Sequence, residues 1–349
     1  MLDHKGGLRV RRILVLFLIL PLALAACGPA RYPDFEQVSA KDRTVIKFSH
    51  VVAENTPKGI AARRFAAMVK ERSGGKIEVQ VFPNSQLYGD GEEFDRLRSG
   101  DVQIIAPSLS KLADLDPPWQ VFDLPYFFDD DRSVERVIAG ATGQRLYAGL
   151  RRMGMEPVAF WHNGFKQISN ARGSLLLPVD IRGLRFRIQS SPVMRDMFQV
   201  LGAEVSVRPF DSLYGALAKG ELDGQENAPS NIFSKHIHEV QPYMTVSNFG
   251  YLGYVVLVNE RFWSALAPDT RELLREAMAD TTQWVRENAR ALNEEAMDRI
   301  RISGKVLIHK QTPNERELWR TVLEPVYRRA ESRLGADVLR EVLREAKGG

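Results

Sequence analysis

The chain has 349 residues, 44% of them hydrophobic and 26% charged, with a single cysteine. The apolar share excludes a disordered chain, and a lone cysteine excludes an intrachain disulfide. The formal net charge of +4 sits mostly at the start: residues 1–26 carry Lys5, Arg9, Arg11 and Arg12 against Asp3, a net +3, which leaves about +1 and no basic run of the kind that binds nucleic acid.

Arg9, Arg11 and Arg12 precede an apolar run from Ile13 to Ala26. The run is too short to span a bilayer as a helix, and the layout is that of a signal peptide over 1–26. It ends Leu24-Ala25-Ala26-Cys27, which resembles the lipobox of bacterial lipoproteins and implies a lipid anchor on Cys27. Residues 27–43 are polar and loosely patterned, and read as a tether. The remaining roughly 305 residues are many for one core, so two lobes are expected.

The pattern then alternates strand and helix. Val45 to Phe48 reads as a strand, and Ala61 to Arg72 as a helix with Phe65, Met68 and Val69 on one stripe. Gly74-Gly75 breaks it before a strand at Lys76 to Phe82. A helix over Glu92 to Arg98 leads to a strand at Val102 to Ala106. Such alternation implies a mainly parallel sheet in an α/β lobe. Val158 to Trp161 is a further strand. A second lobe is expected from Lys166, with strands at Leu184–Ile188 and Val205–Val207, and the chain crosses back at the continuous apolar run Tyr251–Val258. The expected division is 44–165 with 253–292 for the first lobe and 166–252 with 293–349 for the second.

Pro268-Asp269 opens a helical pattern that reaches about Ile302, with Leu273, Ala277, Thr281, Trp284, Ala291 and Met297 on its stripe and no Gly or Pro inside. At ~1.5 Å per residue this is ~50 Å, longer than one lobe is wide, so the helix over 269–302 is expected to lie across both. A strand at Lys305–His309 and helices over Glu315–Leu334 and Ala336–Ala346 complete the chain.

The segment most informative about chemistry runs from Asp180 to Asn227. Leu184, Phe186 and Ile188 alternate with Arg185, Arg187 and Gln189, so a strand here points both arginines away from the core. Arginines on such a face are either solvated or act as a carboxylate clamp, because the planar guanidinium meets a carboxylate with two parallel hydrogen bonds. Asp223-Gly224-Gln225-Glu226-Asn227 follows as a turn, then Ala228-Pro229.

These segments resemble the DctP-type solute receptors of TRAP transporters, as do I-K-F-S-H-V-V-A-E-N-T-P-K-G at 46–59, F-P-N-S-Q-L-Y-G-D at 82–90, D-L-P-Y-F-F at 123–128 and N-G-F-K-Q-I-S-N at 163–170. The resemblance covers Val45 to about Arg344 and is nearest to the C4-dicarboxylate branch. It implies a two-lobed α/β periplasmic binding protein with a spine helix beneath both lobes, a small organic-acid ligand in the cleft, membrane permease subunits as partners and a periplasmic, membrane-anchored location. Arg187 is the implied carboxylate clamp. Lys166 stands where many relatives carry a second arginine, which keeps the charge and loses the fork. Asn227 donates an amide hydrogen bond; His50 to Asn55 and Ser108 face the cleft from the first lobe; Phe210 and Tyr214 wall off water. His50 reads equally as a ligand contact or as a satisfied histidine at a strand end.

Enzyme, cofactor and metal motifs are missing from the sequence. His236 and His238 are two apart, and there is no H-E-x-x-H, C-x-x-C, G-x-S-x-G, P-loop or complete G-x-G-x-x-G. No enzyme activity, cofactor, metal or nucleic-acid partner is expected. A lipid-anchored sensory or adaptor protein that binds the same kind of ligand is the alternative, because fold alone does not separate the two.

Overall fold

A computed structural model describes residues 43–348. The expected signal peptide, Cys27 and the expected tether up to residue 42 lie outside the described residues. Strand β1 (Thr44–Ser49) opens the first sheet. Helix α1 (Pro57–Arg72) starts a turn earlier than the apolar stripe suggests, because the Thr56 hydroxyl accepts from Gly59 N at 3.2 Å and Pro57 fits the first helical position. Gly74 and Gly75, at φ 60° and 80°, turn the chain into β2 (Ile77–Phe82). Helix α2 (Glu93–Ser99), β3 (Ile104–Ile105) and α3 (Leu109–Leu115) follow. A 3-10 turn at Pro117–Asp123 leads to α4 (Asp131–Ala139) and α5 (Ala141–Arg152). Strand β4 (Met155–Phe165) is much longer than Val158–Trp161.

After β5 (Gln167–Asn170), the second lobe takes β6 (Arg185–Ile188), α6 (Pro192–Val200), β7 (Glu204–Val207) and α7 (Leu213–Ala218). Gly224 to Asn227, expected as a turn, forms β8 (Gly224–Asn227), hydrogen-bonded to β5 and β6. Gly224 is required by packing: a Cβ there would lie 2.5 Å from the Phe186 ring and 2.8 Å from Ser169 O. Then come α8 (Pro229–Ser234), β9 (Tyr243–Val246), β10 (Tyr251–Asn259) and α9 (Glu260–Ala265). Helix α10 (Pro268–Ile302) is one uninterrupted helix. Strand β11 (Leu307–Lys310) precedes α11 (Pro313–Val322), α12 (Glu324–Leu334) and α13 (Ala336–Lys347). The single helix expected over Glu315–Leu334 is broken at Leu323, two residues before Pro325, which can enter a helix only in its first turn.

The strands form two sheets, ordered β2-β1-β3-β10-β4 and β11-β9-β5-β8-β6-β7. In the first, β1 runs parallel to β2 and β3, while β10 is antiparallel to β3 and β4. All nine residues of β10 are buried, as its unbroken apolar run requires. The result is a two-lobed α/β protein. Helix α10 packs against α1 and β4 in the first lobe and α8 in the second. Its buried stripe is Leu274, Ala277, Met278, Thr281, Val285, Ala289, Asn293, Ala296 and Ile300. The expected Ala291 is exposed. Asn293 grips both lobes, donating to Asn163 O at 2.7 Å and accepting from Ser230 N at 3.0 Å. The C-terminal helices, expected with the second lobe, straddle the two. Helix α12 packs on α6, and α13 lies on α4, with Arg145 paired to Glu341 at 2.7 Å.

The chain crosses between sheets at Lys166 and again at 247–250, and Lys166 N donates to Gly250 O at 2.8 Å, tying the two crossings together. The Lys166 ammonium lies 3.2 Å from Asp123 and 3.3 Å from Glu226, and all three side chains are fully buried. Asp123 belongs to the first lobe and Glu226 to β8, so the triad is a fixed point at the hinge. The carboxylates raise the lysine pKa against the desolvation that lowers it. Such a cation contributes its full stability below its unfolded pKa and loses it only as pH rises through the raised folded value. Lys166→Met leaves two buried carboxylates facing each other and is expected to cost about 3–5 kcal/mol at pH 7. The deficit should shrink as pH falls from 7 to about 4, because burial without a cation favours the neutral carboxylic acids in the variant. Urea unfolding at both pH values checks this; an equal deficit at both contradicts it.

Candidate functional site

The ends of strands from both sheets converge on a cleft between the lobes, where ligands of α/β proteins bind. The cleft encloses a small cavity of about 30 Å³. The first lobe supplies Val51 and Val52 after β1, Lys58 in the first turn of α1, Asp90 before α2, and Ser108 and Lys111 around the start of α3. The second supplies Arg187 and Gln189 from β6, Phe210 after β7, Asn227 ending β8 and Asn231 on α8. Tyr254 and Leu252 of β10 close the base. The lobes touch here: Phe210 N donates to Asp90 Oδ2 at 2.7 Å, and the Ser108 hydroxyl donates to Gln189 Oε1.

Arg187 is 2% exposed. Phe186 and Ile188 are anchored in the core, so strand alternation turns Arg187 towards the cleft. Its Nε donates to Arg208 O at 3.0 Å. Its two terminal nitrogens lie 3.9 Å from Asp90 and 4.0 Å from Glu226, beyond hydrogen-bond reach, and Nη1 has no hydrogen-bond partner. Burial lowers its pKa while Glu226 and Asp90 oppose that shift. The Phe210 ring stands 6.0 Å away. This is a preformed donor fork with capacity left for an anion. Arg185, on the same strand face, is already committed, with Nε 2.9 Å and Nη2 3.0 Å from the two Asp223 oxygens.

The Asn227 side-chain oxygen accepts from Ala228 N at 3.1 Å and Asn231 Nδ2 at 2.8 Å, which leaves its Nδ2 as the group offered to the cavity. Lys58 is 1% exposed. Its ammonium donates to Ala106 O at 2.8 Å and lies 3.9 Å from the Tyr254 ring centroid. Desolvation lowers its pKa to about 8, against Glu93 and Asp90. Asp90 is paired with Lys111, and Lys111 and Arg187 hold its carboxyl below the usual range despite burial.

Four expected contacts do not line the cavity. Lys166 is occupied by Asp123 and Glu226. His50 is fully buried beneath the cleft wall; neither ring nitrogen has a partner, and burial, then the Lys58 charge, push its pKa down to about 3, so the ring is neutral. Asn55 is exposed, and Tyr214 is half-buried on α7. Arg187, Asn227, Ser108 and Phe210 do come together. Lys58, Asp90, Lys111 and Tyr254 were not singled out from sequence. Lys58 had a signal: a cation in the first turn of a helix opposes the helix dipole, and that calls for a compensating reason.

A larger groove of about 750 Å³ lies between α4 and α10. Within it Glu135 lies 2.6 Å from Arg286 and 2.9 Å from His162, and Arg290 lies 2.9 Å from Glu294. Among the described residues no group of three or more His, Cys, Asp or Glu side chains is arranged to hold a metal ion.

A family profile described as DctP, bacterial extracellular solute-binding protein, family 7, matches residues 48–333. The C4-dicarboxylate-binding protein DctB of Bacillus subtilis is 45% identical over 310 residues, 89% of this chain and 89% of that protein. A TRAP periplasmic solute-binding protein from Sulfurospirillum deleyianum, solved with bound succinate, is 40% identical with a TM-score of 0.84, covering 86% of this chain and 98% of that one. One from Pseudomonas aeruginosa, solved with bound L-malate, is 37% identical with a TM-score of 0.79, covering 82% and 99%. The profile match over residues 48–333 and these relatives show that the chain belongs to the DctP family of TRAP-transporter solute-binding proteins.

Proposed function

We propose that this protein captures a C4-dicarboxylate-like acid in the interlobe cleft and delivers it to TRAP permease subunits in the membrane. The observation that carries this reading is the buried Arg187 guanidinium, one terminal nitrogen unpartnered at the cavity wall. One ligand carboxylate meets Arg187 and the Asn227 amide; Phe210 shields that contact from water. The second carboxylate meets Lys58, and Ser108 contributes a hydroxyl from the same lobe. Lys166 acts one layer behind, holding Glu226 so that it supports the charge of Arg187. A ligand touching both lobes favours the closed arrangement by its differential contacts alone. The closed form is then the one the permease reads. Relatives that carry dicarboxylate and TRAP names support transport over the sensory alternative.

Calorimetric titration with succinate tests the assignment. Arg187→Ala strips the anion of its buried partner and is expected to cost ~2–4 kcal/mol, roughly 30- to 1000-fold in affinity. Arg187→Lys should recover part of this, since charge returns without the fork. Arg185→Ala should change affinity less than tenfold, its guanidinium being engaged with Asp223. Near-wild-type binding by Arg187→Ala, or no binding of succinate or malate by the unaltered protein, overturns the assignment.

We also propose a lipid anchor at Cys27, from Leu24-Ala25-Ala26-Cys27 after the apolar leader, which holds the receptor at the periplasmic face. Mass spectrometry of the mature N-terminus should find a diacylglyceryl-modified Cys27. A free N-terminus downstream of Cys27 in membrane-associated protein contradicts it.

A further inference from the structure

Behind the cavity wall lies a carboxylate that the binding scheme leaves unused. Glu93 opens α2 and is 1% exposed, and its Oε1 has no hydrogen-bond partner. Facing it are Lys58 from α1, Lys111 from α3, Asp90 from the segment before α2 and the Ser49 hydroxyl at the end of β1. His50, next to Ser49, is neutral. The other buried carboxylates around the cleft have direct ion pairs: Asp90 with Lys111, and Asp123 and Glu226 with Lys166. Among the described residues Glu93 has none within 4.0 Å.

The charges at the cleft balance before any ligand enters. Lys58, Lys111, Lys166 and Arg187 stand against Asp90, Glu93, Asp123 and Glu226. A dicarboxylate near neutral pH brings two further negative charges into the same desolvated region. Buried, uncompensated charge is strongly unfavourable, and a titratable group in that situation neutralises instead. Lys58 connects the two events, because it lines the cavity on one side and supports ionised Glu93 on the other.

We propose, on the dicarboxylate reading above, that ligand binding takes up a proton from solvent and that Glu93 receives it: Lys58 turns its charge to the ligand carboxylate, and Glu93 becomes a neutral carboxylic acid. Burial already pushes the Glu93 carboxyl up to about 7, with Lys58 and Lys111 opposing. A ligand anion beside Lys58 raises it further. Below the free-protein value Glu93 is protonated in both states and nothing is taken up. Between the free and bound values one proton enters on binding, so affinity falls as pH rises, by at most about tenfold per pH unit.

Succinate titration by calorimetry at pH 8, in phosphate and in Tris, counts the protons, because the two buffers differ in ionisation enthalpy. The expected uptake is ~0.5 proton or more per succinate. Glu93→Gln preserves shape and should show less uptake than the unaltered protein, the remainder going to Lys58, whose own pKa lies at about 8. Carbon-13 carboxyl NMR of the unaltered protein should show Glu93 become protonated when succinate is added at pH 8. This last readout decides the matter if the glutamine variant does not fold. Succinate binding without proton uptake, uptake that persists undiminished in Glu93→Gln, or a Glu93 that stays ionised overturns the proposal. An absence of succinate binding altogether points instead to failure of the dicarboxylate reading.

Discussion

The cleft depends on keeping a guanidinium charged where water cannot reach it. Arg187 is held by one hydrogen bond to Arg208 O and by two carboxylates about 1 Å too far away to satisfy it. At 4 Å each unit charge is worth about 4 kcal/mol at an effective dielectric of 20, so Asp90 and Glu226 keep the arginine ionised without occupying its fork. A closer carboxylate would spend the donor; a more distant one would leave the buried charge unsupported. The neighbouring positions serve this compromise. Lys111 fixes Asp90, Lys166 fixes Glu226, and the core contacts of Phe186 and Ile188 fix the strand that carries the arginine.

The same groups make the hinge and the site one mechanical unit. Asp90 belongs to the first lobe yet accepts from Phe210 N of the second, so the partner of Arg187 is in place only when the lobes meet. Glu226 follows Gly224, whose missing side chain lets β8 approach Phe186, and it reaches back to Lys166 at the crossing between sheets. Helix α10 resists any motion that would shear the lobes, because Asn293 bonds β4 and α8 at once. The crossings at 166 and 247–250 are where hinge closure of the kind that ligand-binding two-lobed proteins use would turn. Gln167 stiffens those crossings by accepting from Ser247 N and Asn248 N at 2.9 and 3.2 Å.

Much of this was legible in the chain. A 35-residue helix follows from an uninterrupted pattern between Pro268 and Ile302, since only Gly, Pro or a break in period would have stopped it. Alternation around Arg187 gave its direction, the motif that ends at Asn227 singled out that residue, and Ser108 follows the strand read at Val102 to Ala106. The misses have physical causes. Lys166 carries the charge expected of a ligand contact, but its two carboxylate partners are 43 and 60 residues away in the chain, and nothing local announces such pairing. His50 lies at a strand end as read, yet burial rather than ligand contact explains it. Lys58 fell before the helix read at Ala61 to Arg72; only the packing of α1 on Ala106 and Tyr254 makes it a wall of the cleft. The Gly224–Asn227 segment has turn-like composition, and tertiary pairing on both sides made it a strand.

The most direct measurement is a crystal structure of the succinate complex. The predicted result is one ligand between the lobes, with one carboxylate bidentate to Arg187 and within hydrogen-bond distance of Asn227 Nδ2, and the other facing Lys58, while Lys166 stays with Asp123 and Glu226. Succinate bound away from Arg187, or a Lys166 that leaves its carboxylates to take the ligand, would contradict the account.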